Sequence, residues 1–506
     1  MANTKLTSLT GLSNVVDDDL FYVVDVSDHA EGSSGTSKKV TKNILMKDML
    51  VGGTSIIDVK RDYGATGNGI TDDTTAIQSA LAAGGQIYFP AGTYLTTASL
   101  SYYSNSHIVG AGRGITIIKV MDGSTLSNAH GVLEPVGWGD GGAPAVDNVY
   151  ISNLTIDGNH DNVTGEVDGI VLSKGVDLTL YNCEAYECKE VGFAIDSAVY
   201  ATGAVRGTLV LGCYSHDNES DGFQAQNGTL IGCHSYDNGG TGFRNAGSGT
   251  AEPYLYRLIL QGCNAYRNAS YGIGMAPQAG GTVLTASIDG CYSGDNTGDG
   301  FVIGMIGQRI SNCISTGNGE AGVRVGVDNT SVTNCVIKNN GQVGSTYTYG
   351  IVFFSDRKNV VVSGNRIYDD QSSATQTYGI FGDGYAAGVS GNTIHIFNND
   401  LSDNGTGAIG GNMVLSGGNI TPQFSIKNNA GYNPVGVSAI TEGASPFTHT
   451  ADSAPETVYI TGGTVSSVVK GGVTLFTSTD CTVELEPSES VVVTYTVKPD
   501  MVRDIH

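Results

Sequence analysis

Three carboxylates, Asp196, Glu219 and Asp221, lie close in the chain to two amides and a guanidinium, Gln224, Gln226 and Arg244. That combination suits carbohydrate chemistry. One acid can protonate a glycosidic oxygen while a second serves as base or nucleophile. Amides and guanidinium groups bind sugar hydroxyls or an acidic sugar. Glycines at 192, 222 and 242 each open a short strand, so the second and fourth residues after them face outward together. Gln224 and Arg244 take the second position, Asp196 and Gln226 the fourth. Asp196 stands mid-strand, where no turn or cap requires an acid, and Glu219 and Asp221 fall in the turn of the next coil. The expected catalytic set is Asp196, Glu219 and Asp221, with Gln224, Gln226 and Arg244 holding the substrate. No metal and no cofactor is expected.

Other groupings have plainer readings. Glu187, Asp217, Asp237 and Asp295 share one position of a repeat, but Asp-Asn at such a place is ordinary turn chemistry. Asp157, Asn159, Asp161 and Asp168 have the look of a calcium loop, yet Asn162 stands in place of its glycine and Asp168 in place of its glutamate. Gly110, Gly112 and Gly114 lead into a strand rather than a helix, which rules out a phosphate loop.

A repeat positions these residues. Cys183, Cys213, Cys233, Cys263, Cys291 and Cys313 are each followed nine residues later by glycine, and an apolar residue follows each glycine. Five of the six units carry asparagine five residues after the cysteine, from Asn218 to Asn318. Each unit reads as a strand ending at the cysteine, an asparagine turn, and a glycine that bends the chain into a second strand. Glycine-to-glycine steps of 20 to 30 residues equal one coil of a parallel β-helix. Equivalent residues then stack about 4.8 Å apart, cysteine on cysteine and phenylalanine on phenylalanine. The thiols are expected to be buried, reduced and apolar in role.

Composition narrows the partners. Glycine supplies 73 of 506 residues and proline only 11, which fits turn-rich β-structure and excludes collagen. With 25 basic against 49 acidic residues, net −24, neither nucleic acid nor an anionic membrane surface is an expected partner. No apolar run reaches the roughly 20 residues of a membrane span. The opening residues Met1 to Leu6 lack the apolar core of a signal peptide, so synthesis in a cytoplasm is expected.

Both ends of the solenoid carry further signals. Gly64-Ala65-Thr66-Gly67-Asn68-Gly69, Thr71-Asp72-Asp73-Thr74 and Ala76-Ile77-Gln78 precede Ile87-Tyr88-Phe89-Pro90-Ala91-Gly92-Thr93-Tyr94. Asp72 or Asp73 caps a short amphipathic helix that ends at Gly84-Gly85 and covers the open end of the coils. This segment resembles the opening of the pectate-lyase-like superfamily, with Asn68 replacing one aspartate of its pattern. The resemblance implies a fold shared by lyases, hydrolases, epimerases and phage tailspikes. Residues 1 to 52 resemble the short modules that anchor tailspikes to the virion, and 445 to 500 return to period-two strands. The expected fold is all-β: a right-handed, single-stranded parallel β-helix over 53–435, with a helix cap, an adaptor module at 1–52 and a small β-domain at 436–506 that trimerises the spike or binds sugar. The resemblance implies a homotrimeric phage tailspike, attached through its N-terminus to a tail or baseplate protein, that binds and depolymerises a bacterial surface polysaccharide by glycoside hydrolysis. The alternatives are a non-enzymatic receptor-binding spike, or a lyase with Arg244 or Lys174 near the sugar acid.

Overall fold

The computed structural model describes residues 20–25, 36–41 and 56–505, apart from 127–129, 139–145, 166, 174, 197–207, 226, 246–255, 276–282, 345, 355–356, 384–393, 412, 414–423, 433–436 and 452–454. Its centre is a solenoid of three parallel sheets, one of 14 strands and two of 12. Sheet 1 runs from Ile57–Asp58 to Phe424–Lys427, sheet 2 from Asn68–Asp72 to Arg366–Tyr368, and sheet 3 from Leu100–Tyr102 to Gly407–Gly411. One coil visits the three in turn, for example Leu209–Leu211, Tyr214–His216 and Phe223–Ala225. The cysteine therefore occupies the corner between the first and second strands of the coil, and the second strand separates it from the asparagine. A two-strand reading of the repeat misses that strand because it is only three residues long.

The asparagines do more than turn the chain. Asn218, Asn238, Asn268, Asn296, Asn318 and Asn340 are buried, and each Nδ2 donates to the next amide oxygen along the stack. These bonds measure 2.7–3.0 Å. The left-handed conformation falls instead on the residue before each asparagine: Asp217, Asp237, Arg267 and Asp295 have φ of 52–55°. That explains the recurring acid at this position as turn geometry.

The repeated glycines have a different reason from the expected bend. Gly192, Gly222, Gly242, Gly272, Gly300 and Gly322 are absent from the residues of positive φ. A Cβ on Gly222 would lie 1.9 Å from Ser235 Oγ and 2.9 Å from Asn238 Nδ2. The glycine leaves room for the amide ladder and for the hydroxyl that bonds Gly242 O at 2.8 Å. Inside the coil, Phe193, Phe223 and Phe243 stack at 4.9 and 4.8 Å between ring centroids. Eight of the nine cysteines are buried and all nine are free thiols.

The N-terminal end is closed as expected by a helix, Thr74–Ala83, which buries Ile77, Ala80 and Leu81. Asp72 bonds the Thr74 N–H at 2.9 Å, whereas Asp73 turns back to hold Thr66 and Gly67. A second helix, Val59–Tyr63, is capped by Asp58. At the other end, residues 437–505 form two four-stranded antiparallel sheets around Val458, Ile460, Val468, Val483 and Val491. Gly462, Gly463, Gly471 and Gly472 all have positive φ, as tight hairpin turns require. Most of 1–52 lies outside the described residues. Within it, Leu20–Asp25 pairs antiparallel with Thr36–Thr41.

Replacing Asn268 by alanine breaks the ladder at its centre: the buried Asn238 N–H loses its partner, and the two amide–amide bonds on either side are lost. An orphaned buried donor costs about 1–3 kcal/mol, and each lost bond about 1 kcal/mol more. Asn268→Ala is expected to lower the urea midpoint by a shift corresponding to roughly 2–5 kcal/mol, whereas an unchanged midpoint would deny the ladder its stabilising role.

Candidate functional site

The three corners of a coil are not equivalent. From sheet 2 to sheet 3 the connection is six residues in six successive coils, from 187–192 to 317–322. From sheet 3 back to sheet 1 it ranges from two residues, 226–227, to 13, 136–148. Insertions thus collect beside sheet 3, the pattern by which a solenoid surrounds a binding face.

Gln224 and Arg244 lie on the outer side of sheet 3 in neighbouring rungs, in register with each other. Asp196 closes the strand Phe193–Asp196, paired with Ser173 one coil back. The side chains of Asp196 and Gln226 lie outside the described residues, as does Lys174. Asp221 is buried and committed on both oxygens, to the Thr241 N–H at 2.7 Å and Arg244 Nη1 at 3.1 Å. Glu219 turns toward the previous coil, 3.0 Å from Lys189 Nζ and 3.4 Å from His160 Nδ1. Asp221 and Glu219 therefore take their partners from opposite directions along the solenoid. Asp157, of the calcium-like stretch, is held by Lys119 Nζ at 2.7 Å and the Tyr186 hydroxyl at 2.9 Å.

Asp221 belongs to a set. Aspartate also precedes the strand glycine at Asp168 and Asp299, and each accepts the backbone N–H one coil ahead: Val191 for Asp168, Ala321 for Asp299. Asp221 and Asp299 are then met by arginine two residues past the next glycine, Arg244 and Arg324. At the corresponding place above Asp168 stands Ala194. Glu134 and Glu190 flank Asp168 from the coils on either side. Gly131, in register with Asp168, donates to Glu134 Oε2 at 2.8 Å, and Glu190 N bonds Val167 O at 3.0 Å. Burial, with some help from these two like charges, pushes the Asp168 carboxyl up to about 7. The Val191 N–H opposes that shift without cancelling it. The result is a carboxylic acid that keeps its proton near neutrality. Sequence reading noticed Asp168 only as part of a calcium-like loop, although the Asp-Gly step shared with 221 and 299 was readable.

Farther along the same face the surface becomes aromatic. The Arg324 guanidinium lies 4.8 Å from the Tyr347 ring and 5.1 Å from Phe354, and Tyr349 stacks on Phe381 at 4.0 Å. On sheet 2, Tyr186, His216, Tyr236 and Tyr266 also stack, 4.7–5.4 Å apart. The interior rings of that column have neighbours on both faces, which leaves their edges rather than their faces for a ligand. Sheet 3 thus combines an acid, amide and arginine groups, and aromatic rings along one surface.

The Asp168 shift sets a pH dependence. In the unfolded chain the carboxyl ionises near pH ~4, and in the fold near 7. Its contribution to stability is complete below the unfolded value and is lost as pH rises through the folded one. Asparagine at 168 can still accept the Val191 N–H but does not titrate. The stability of Asp168→Asn relative to the parent should therefore increase from pH 4 to pH 8 in urea titrations, and a pH-independent difference would mean that Asp168 titrates normally.

Two family matches cover the coils. Residues 56–296 match the family described as rhamnogalacturonase A/epimerase, pectate lyase-like, and residues 225–379 match the right-handed β-helix region. Mannuronan C5-epimerase AlgE1 of Azotobacter vinelandii is 37% identical over 185 residues, 33% of this chain and 12% of that protein. The preneck appendage protein of Bacillus phage PZA is 28% identical over 149 residues, 29% of this chain and 17% of that protein. The chain thus matches less than a fifth of the length of either relative. Among solved structures, the A-module of mannuronan C-5 epimerase AlgE6 from Azotobacter vinelandii superposes with a TM-score of 0.61 at 23% identity, over 75% of this chain and all of that one. That likeness is one of fold. The stacked coils and the capping helix make the chain a right-handed parallel β-helix, and its residues 56–296 are similar to the pectate-lyase-like family.

Proposed function

We propose that this chain is a phage tail component that binds an extended bacterial surface polysaccharide along the outer face of sheet 3 and cleaves it by glycoside hydrolysis. The observation that carries the chemistry is Asp168, held protonated to about 7 with a glutamate on each neighbouring coil. Asp168 gives its proton to the leaving glycosidic oxygen as the carbon–oxygen bond breaks. Glu190, one coil and one residue away, attacks the sugar carbon as the nucleophile of a retaining mechanism. Water then releases the sugar, and its proton restores the acid. Gln224 and Arg244 bind the sugars next along the chain, and the rings from Tyr347 to Phe381 carry more distant ones. Asp196, Glu219 and Asp221 form the competing catalytic set. Against that set stands the engagement of Asp221 by Arg244 and the Thr241 N–H.

The phage assignment is supported by the preneck appendage relative. Among the described residues no helix is long and apolar enough to cross a membrane. In this reading the protein assembles as a homotrimer and docks to a tail or baseplate protein through residues 1–52. A second reading, epimerase chemistry on a uronate polymer, is favoured by the name of the relative AlgE1.

Products separate these readings when the protein is incubated with host polysaccharide. A hydrolase yields new reducing ends, a lyase an ultraviolet-absorbing double bond, an epimerase a change of configuration without cleavage, and an adhesin none of these. Asp168→Asn and Glu190→Gln are each expected to lower reducing-end release by about 100-fold or more while binding persists. Parental activity should fall as pH rises through 7. Loss of activity in Asp196→Asn or Glu219→Gln, with Asp168→Asn fully active, would move the chemistry to the competing set.

Deleting residues 1–52 should abolish incorporation into virions and leave polysaccharide binding intact. Particles that still carry the truncated chain would refute the anchoring role.

A further inference from the structure

Sheet 1 carries a feature that the sheet 3 site does not use. Its outer side holds a depression of about 260 Å³, whose lining includes Arg257, Ile259, Ser287, Gly307 and Arg309. Ile259, Ser287 and Arg309 sit in register on three successive coils, and Arg257 is two residues before Ile259 on the first. Two rungs in one direction and two residues in the other separate the arginine backbones by about 12 Å, so the two side chains can reach an object held between them. The Ser287 hydroxyl lies on the middle rung.

Electrostatics set these two arginines apart from most of the others among the described residues. Arg61, Arg244, Arg267, Arg324, Arg366 and Arg503 are all paired with carboxylates. Arg257 and Arg309 are exposed, and among the described residues neither makes an ion pair or a hydrogen bond. In a chain with 49 acidic residues against 25 basic ones, two arginines facing one depression without a carboxylate form a local reversal of charge. A guanidinium presents a planar fork of N–H donors that matches the oxygens of a carboxylate, sulfate or phosphate. The uncharged hydroxyl of Ser287 adds a donor without adding repulsion.

We infer that Arg257, Ser287 and Arg309 form a binding site for an oxyanion, free or carried by an acidic sugar, on a face separate from sheet 3. The site holds its anion by two guanidinium forks from coils two rungs apart, so both arginines are needed for full affinity.

Titration calorimetry of the full chain with sodium sulfate and, separately, with sodium glucuronate tests this, with glucose as the uncharged control. Arg257→Gln and Arg309→Gln are each expected to weaken anion binding about tenfold or more, and the double variant to abolish it with an unchanged thermal midpoint. Arg267→Gln, which alters an arginine already paired with Asp237 on another sheet, should retain parental affinity. Binding of sulfate alone identifies a tetrahedral anion, and binding of glucuronate alone identifies a sugar-borne carboxylate. Either supports the site. Binding of neither anion at tens of millimolar, or equal binding by the double variant, would overturn it.

Discussion

A column of buried amides fixes the register of the coils. Each amide from 218 to 318 bonds the next amide along the stack, and a shift of one residue would break that whole column of bonds. The same constraint selects glycine at 192, 222, 272 and 300, because a methyl group there would strike the serine hydroxyl and the amide of the following coil. Cysteine and phenylalanine stacks fill the remaining interior at the spacing the ladder sets. Dispersion and burial supply much of the stability, but they do not specify register as sharply as a hydrogen bond does.

A backbone this regular leaves little room for function in the strands themselves. Differences arise where a column is interrupted. Asp168, Asp221 and Asp299 occupy one structural position and accept equivalent backbone N–H groups. Arginine meets the second and third but alanine stands above the first. Burial pushes Asp168 and Asp299 alike up to about 7, but Arg324 engages Asp299 and Arg244 engages Asp221. The absence of one guanidinium from the next coil thus sets Asp168 apart from the other two, and the proposed chemistry rests on that difference.

Charge and loops complete the division of the surface. Connections of six residues keep the sheet 2 to sheet 3 corner uniform through six successive coils, while the connections that follow sheet 3 in those coils vary in length. Long polymers suit such a surface, since equivalent positions recur every rung and a chain of sugars can run across several coils. The unpaired arginines of sheet 1 are the counterpart on a second face, where charge rather than ring stacking would select a ligand.

Periodicity in the sequence determined the fold. The nine-residue step from cysteine to glycine and the spacing of the asparagines define a parallel solenoid, and the Asp72 to Leu81 stretch defines its cap. Those features are legible because each coil repeats the same local demand. The sequence could not tell that the asparagines form a continuous ladder, that glycine is needed for space rather than for a bend, or that Asp221 is locked by Arg244. Only stacking settles such questions, since each depends on residues 20 to 30 positions away that the coil brings within hydrogen-bonding reach. The state of Asp168 is of the same kind: its neighbours Glu134 and Glu190 are remote in the chain, and its pKa is a property of the coils packed around it.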